Sequence, residues 1–184
     1  MKFEIVRYSP EKAKEWDEFV KQSWNGVFLF YRAFMDYHAH LFTDHSLMVY
    51  ADNSLKAILP ANQKEGVLYS HQGLTYGGWL LAPRFPADDL DVLFADTEKY
   101  LLDQHITQLQ YKHKPYVFDK HANDYDGWLL WKHGYELWRR DLSYYIDLKN
   151  AVGFARDKRY RLNKSRRNNL SLKINADLPL IMEL

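Results

Sequence analysis

Apolar positions along this chain change their period several times, and each change marks an element. Met1 to Arg7 alternate apolar and polar side chains, the pattern of a half-buried strand. Ser9-Pro10-Glu11 then supplies an N-cap, a first-turn proline and an acid, and Ala13, Trp16, Phe19 and Val20 recur at helical spacing. These predict an amphipathic helix over 10–23, closed by Asn25-Gly26. A second helix is predicted from Phe30 to His40, with Phe30, Phe34, Tyr37 and Leu41 along one face. Two apolar runs, Ser46 to Ala51 and Leu55 to Leu59, flank Asp52-Asn53-Ser54 and predict a β-hairpin that Pro60 stops. Gly66 to His71 reads as a further strand. Leu90, Leu93, Phe94, Thr97, Tyr100 and Leu101 keep a helical period through 87–105, behind Asp88-Asp89 at the positive end of the helix dipole.

The second half continues the alternation of types. Ile106 to Lys112 reads as a strand, Asp124 to His133 as a short helix closed by Gly134, and Tyr135 to Leu148 as a long aromatic-rich strand. A basic helix over 156–167 and a strand from Leu172 to Asn175 follow. Asp177-Leu178-Pro179 resembles a helix start whose remainder is absent, so the chain reads as truncated at its C-terminus. The sum is an α/β domain with a mixed sheet flanked by helices, over 1–150, followed by a linking basic helix and the start of an incomplete second domain over 151–184. No internal repeat or low-complexity segment interrupts it.

Length and charge refine this picture. The 184 residues suit one compact unit, and 47% apolar with 27% charged residues suffice for a core. No apolar run approaches the length of a membrane span and the N-terminus lacks a signal-peptide core, which points to the cytoplasm. Zero cysteines exclude disulfides, thiol nucleophiles and Cys-based zinc sites. The net charge of +1 conceals polarity: residues 156–167 carry seven basic residues and one acid, or +6, and the remaining 18 basic and 23 acidic residues carry −5.

Four stretches carry candidate chemistry. Leu68 to Trp79 (LYSHQGLTYGGW) follows a strand end with hydroxyls, an imidazole and three glycines, a composition that serves either an oxyanion-accepting backbone or a plain turn packed on the core. Its spacing matches neither a P-loop nor a dinucleotide fingerprint. Of the eight histidines, His38, His40 and His45 form one loose group, and His113 and His121 lie near Asp119 and Asp124 in another. Neither has the i, i+4 spacing a helical zinc pair favours, so no metal site is expected. Tyr111 to Tyr116 joins a strand end to a turn, where Lys112 and Tyr116 either hold an acidic ligand or serve surface and core. The basic helix offers phosphate contacts and Tyr160 for stacking, or a merely solvated face, without a recognised DNA-reading motif.

Taken in order, Asn25-Gly26-Val27-Phe28, Arg32 to His38 (RAFMDYH), Asp44 to Leu47 (DHSL), Leu59 to Asn62 (LPAN), Ser70 to Gly78, Tyr111 to Phe118 (YKHKPYVF) and Arg139 to Ser143 (RRDLS) resemble bacterial FemAB-like proteins of the GNAT acyltransferase superfamily. The resemblance runs through nearly the whole chain. It implies a cytoplasmic protein of two GNAT-like halves working on the cell envelope, of which this sequence resembles the first. That half helps form the acceptor cleft, and the second supplies the donor site. The implied function is the acceptor-binding half of an N-acyl or aminoacyl transferase acting on an amino sugar, amino acid or cell-wall precursor. A non-catalytic binding module, or a nucleic-acid-binding protein using the basic helix, is the alternative. The implied donors are acetyl-CoA or aminoacyl-tRNA, and tRNA is then the nucleic acid to expect. This chain lacks the basic-x-x-G-x-G/A loop for a coenzyme A pyrophosphate, so no cofactor is expected in it alone. Matching segments carry over Arg32, Tyr37, His71, Tyr76, Lys112 and Tyr116 as substrate-binding candidates, with no catalytic base assigned. A homodimer through 154–184 is a further expectation.

Overall fold

The computed structural model describes residues 2–120, 124–150 and 152–168. They fall into two compact units, Met1–Asp141 and Leu142–Leu184. The expected strand from Leu172 to Asn175 and the turn after Asp177 lie outside the described residues.

The first unit is built on two four-stranded sheets. Strands β1 (Glu4–Arg7), β3 (Leu47–Ala51), β4 (Ser54–Leu59) and β7 (Leu80–Leu81) form an antiparallel sheet in the order β1-β3-β4-β7. The other sheet, in the order β2-β5-β6-β8, comprises β2 (Thr43–Asp44), β5 (Asn62–Lys64), β6 (Val67–Tyr69) and β8 (Gln108–Gln110). Its β6–β8 pair is parallel, with Leu68 opposite Leu109. The hairpin between β3 and β4 turns at Asp52 and Asn53, both in the left-handed region at φ 50° and 57°, which short polar Asp and Asn tolerate.

Alternation along the strands divides the core into two layers. Met48, Ile58 and Leu80 face helix α1 (Ala13–Gln22), where Trp16, Phe19 and Val20 form the buried stripe that the spacing predicts. Leu47, Val49, Ala57, Leu59 and Leu81 face the opposite way, onto Leu90, Leu93, Phe94 and Leu101 of α3 (Ala87–Asp103). A sheet covered on both faces by helices lets each strand bury both sets of side chains.

Two expectations need correction. The helix expected over Phe30 to His40 is broken into a 3-10 turn at Phe28–Phe30, a single helical turn α2 (Arg32–Met35) and a second 3-10 stretch, Asp36–Leu41, with His38 non-helical. Tyr31 is extended between the pieces (φ −67°, ψ 141°), so the periodic stripe does not line up: Phe30 is buried while Phe34, Tyr37 and Leu41 are exposed. The strand expected over Tyr135 to Leu148 pairs with nothing in either sheet; its apolar side chains, Leu142, Tyr144, Ile146 and Leu148 among them, are exposed. Alternation supplies the face of a strand but not the neighbouring backbone that makes one. Short strands β2, β5 and β7 were not foreseen, because runs of two or three residues carry no period.

The remaining helices follow the sequence. Helix α4 (Tyr125–Lys132) ends at Gly134, at φ 76°. In the second unit, helix α5 (Arg156–Arg167) is exposed and basic. Among the described residues no helix is long and apolar enough to cross a membrane.

Candidate acceptor site

Chain crossings after β6 and β8 build the site. Beyond their parallel pairing, the Ser70 N–H still donates to the Gln110 carbonyl at 2.9 Å, and the Lys112 N–H donates to Ser70 Oγ at 2.6 Å. The loop 70–79 then folds back, and the Gly77 N–H donates to the Lys112 carbonyl at 3.1 Å. This crossing requires glycine twice. A Cβ on Gly77 would sit 1.9 Å from the Ser70 carbonyl oxygen, and one on Gly78, at φ 91°, would sit 2.6 Å from the Tyr111 hydroxyl. The glycines found in the sequence therefore act first as points of close backbone approach.

His71 sits in that loop, buried, with φ at 65°. Its Nδ1 accepts from the Gly73 N–H at 3.2 Å, which leaves the ring proton on Nε2. Burial pushes the imidazole down to about 4; Asp44 opposes this, while Arg32 and Lys112 add to it. The ring is therefore neutral near pH 7 and presents a donor at Nε2. Among the described residues no hydrogen-bond partner meets that donor.

Arg32, at the start of α2, is also buried. Its guanidinium Nη2 donates to Asp36 Oδ1 and Asp44 Oδ2, each at 2.6 Å, and its plane lies 3.8 Å over the Tyr8 ring. Ser46 Oγ is 3.4 Å from Nη1, and buried Nε has no partner among the described residues. Burial alone would lower the Arg32 pKa, but the two carboxylates outweigh it and raise it. Arg32, Asp44 and His71 thus share one electrostatic environment, partly open through the half-exposed carboxylates of Asp36 and Asp44.

Lys112 joins the group from the other side. Its ammonium donates to the carbonyls of Leu74 at 2.6 Å, His71 at 3.3 Å and Gln72 at 3.5 Å. It caps the turn that holds His71, and burial lowers its pKa, with Arg139 adding to the effect. Tyr76 stacks on Phe118 at 5.5 Å and meets Phe30 edge-on at 6.5 Å. Tyr37 is exposed beside His38, and Tyr116 is exposed in the 3-10 turn Tyr116–Phe118. Of the six candidates, Lys112 is hydrogen-bonded to the His71 carbonyl and Arg32 reaches His71 through its charge alone, while no bond or ring contact is recorded from Tyr37 or Tyr116 to these three.

Several groups nearby carried little or no signal in the sequence, where His113 and Asp124 stood out only as part of a loose cluster. Asp44 and Ser46 bind Arg32, and their only signal was their place in the DHSL stretch. Tyr111 accepts from the Trp79 N–H at 2.8 Å and donates to Asp126 Oδ2 at 3.2 Å. His113 Nε2 lies 2.6 Å from Asp126 Oδ1 and 3.6 Å from Asp124 Oδ1; the three residues offer ligand atoms within 4.8 Å of one another. That closeness comes from α4 returning to the loop after β8. Lys114 and Asp119 form a buried ion pair beside it, lining a cavity of about 20 Å³ with Trp24 and Asn25.

No known family pattern and no curated protein matches this sequence. Solved structures do match. The aminoglycoside N-acetyltransferase AAC(6')-Iy in complex with CoA superposes with a TM-score of 0.51, over 78% of this chain and 94% of its own, at 15% identity. The PaiA N-acetyltransferase from Thermoplasma acidophilum, in complex with coenzyme A, gives 0.52 over 77% and 94%, also at 15% identity. The chain has the fold of the GNAT acetyltransferases. At such identities the GNAT likeness establishes architecture, which agrees with the expected mixed α/β fold; it does not single out the FemAB-like branch.

Proposed function

We propose that this protein is the acceptor-binding part of a GNAT-type acyltransferase, one that places a primary amine for N-acylation. The observation that carries this reading is the group formed by His71, Arg32 and Asp44 where the parallel strands β6 and β8 separate, in a fold shared with acetyltransferases that bind coenzyme A. N-acylation requires a neutral amine and a donor for the oxyanion that forms on the acyl carbonyl. A neutral imidazole with its proton on Nε2 suits the donor role. The carboxylates of Asp36 and Asp44 suit an incoming ammonium, which they hold before it gives up its proton to solvent.

The acyl donor is bound elsewhere than on this chain alone. Helix α3 opens on Pro86, which has no N–H, and carries Asp88 and Asp89 in its first turn. Carboxylates at the positive end of a helix occupy the charge that would otherwise attract a pyrophosphate. In the resembling FemAB-like proteins a second half provides the donor. Amino sugars, amino acids and cell-wall precursors are the acceptors to try, with acetyl-CoA or aminoacyl-tRNA as donors.

The experiment is a pair of titrations on the full chain. Saturation-transfer NMR with an amino sugar, a free amino acid and a muramyl-peptide precursor should show contact with at least one amine, reduced in Asp44→Asn. Calorimetric titration with acetyl-CoA should show no micromolar binding. Tight coenzyme A binding would place the donor site in this chain, and no amine contact with any of the three would remove the acceptor site.

A further inference from the structure

Helix α5 holds Arg156, Lys158, Arg159, Arg161, Lys164, Arg166 and Arg167, all exposed and none in an ion pair among the described residues. Lys158 with Arg161, and Arg161 with Lys164, are like charges three residues apart, a spacing that destabilises an isolated helix. Asp157 is the one acid within it. Seven cations held this way call for an anionic partner rather than for one another.

The arrangement around the axis selects the shape of that partner. At about 100° per residue the cations fall on every side of the helix, with no sector wide enough to be apolar. Tyr160 and Leu162, its two large apolar residues, project about 160° apart. A helix lying on an anionic membrane needs one apolar face opposite its basic one. A basic helix without a dry face fits instead between two walls of negative charge. The major groove of B-form DNA provides them: it is about 12 Å wide, against about 10–12 Å for a helix with its side chains. Over the helix length of about 18 Å, duplex DNA presents about ten phosphates to a net +6. The major groove of A-form RNA is too narrow for the same insertion.

We propose that α5 docks into the major groove of duplex DNA and holds it without reading sequence, its cations reaching phosphates on both strands. With its cations on every side of the axis, the helix meets the phosphates on both walls of the groove, the contacts that hold a protein on DNA without carrying sequence information. The net charge of −5 on the rest of the chain confines the attraction to this helix. This inference is independent of the acceptor reading.

The test is fluorescence anisotropy of the full chain with a labelled mixed-sequence DNA duplex of about 20 base pairs between 50 and 200 mM KCl. With about four phosphates neutralised, affinity should fall about 150-fold across that fourfold change in salt. The triple variant Arg159→Gln, Arg161→Gln, Lys164→Gln should bind more than tenfold more weakly with a shallower salt slope. Glutamine keeps nearly the helix propensity of arginine and lysine, and circular dichroism confirms that the helix persists. Lys132→Gln, on α4, should bind as the unaltered chain does. Absence of duplex binding at 50 mM KCl, an unchanged affinity in the triple variant, tighter binding of a matched RNA duplex, or stronger binding to phosphatidylserine vesicles would each overturn the proposal.

Discussion

Protonating His71 should weaken the fold by an amount that can be isolated. Burial, with Arg32 and Lys112 adding to it, holds this imidazole at about 4 against an ordinary value of 6.5. The unfolded chain takes up its proton near 6.5 and the folded chain only near 4, so between those values the unfolded state binds more protons. Stability from this group is therefore complete above pH 6.5 and is lost as pH falls toward 4. The full difference corresponds to about 3 kcal/mol, of which about 2 kcal/mol is gone by pH 5. Carboxylates also titrate in this range, so the measurement must be a difference. His71→Asn removes the titration and tolerates the left-handed backbone at φ 65°. Urea unfolding of both proteins at pH 7 and pH 5 should show the unaltered chain losing about 2 kcal/mol more than the variant. A carbon-13 titration of the imidazole should give a midpoint near 4. Parallel losses in the two proteins, or a midpoint at 6 or above, would refute the burial and charge environment described for His71, and with them its role as a neutral donor.

Three further outcomes are expected. Arg32→Met should cost about 3 kcal/mol in urea unfolding, because Asp36 and Asp44 lose the cation between them, and Arg32→Lys should recover only part of it for want of a planar fork. Asn25→Ala should cost about 2 kcal/mol, since Nδ2 donates to the Trp79 carbonyl and Oδ1 accepts from the Leu81 N–H, the two bonds that a strand beside β7 would have made. Gly77→Ala should disrupt the crossing of loop 70–79 over Lys112, read as faster amide exchange at position 77 and at Lys112 while α1 and α3 keep their protection.

What the residues decided by themselves is local. The period of Trp16, Phe19 and Val20, or of Leu90 through Leu101, depends on neighbours three and four places away, and both helices formed with those faces buried. The Asp52-Asn53 turn fixed its hairpin for the same reason. Arg32, His71 and Lys112 were visible as residue types in distinctive stretches. Their states were not: Arg32 owes its charge balance to Asp44, His71 owes its neutrality to burial, and the Lys112 ammonium is engaged by carbonyls some 40 residues away. Tertiary contact also overruled pattern. The helical spacing from Phe30 to Leu41 gave way where Tyr31 is extended and Arg32 turns inward to two carboxylates, and the alternation after Tyr135 found no strand to join. Periodicity states which side of an element is apolar; whether that side meets a partner, and what charge a buried group keeps, depends on residues far along the chain that only the folded arrangement brings near.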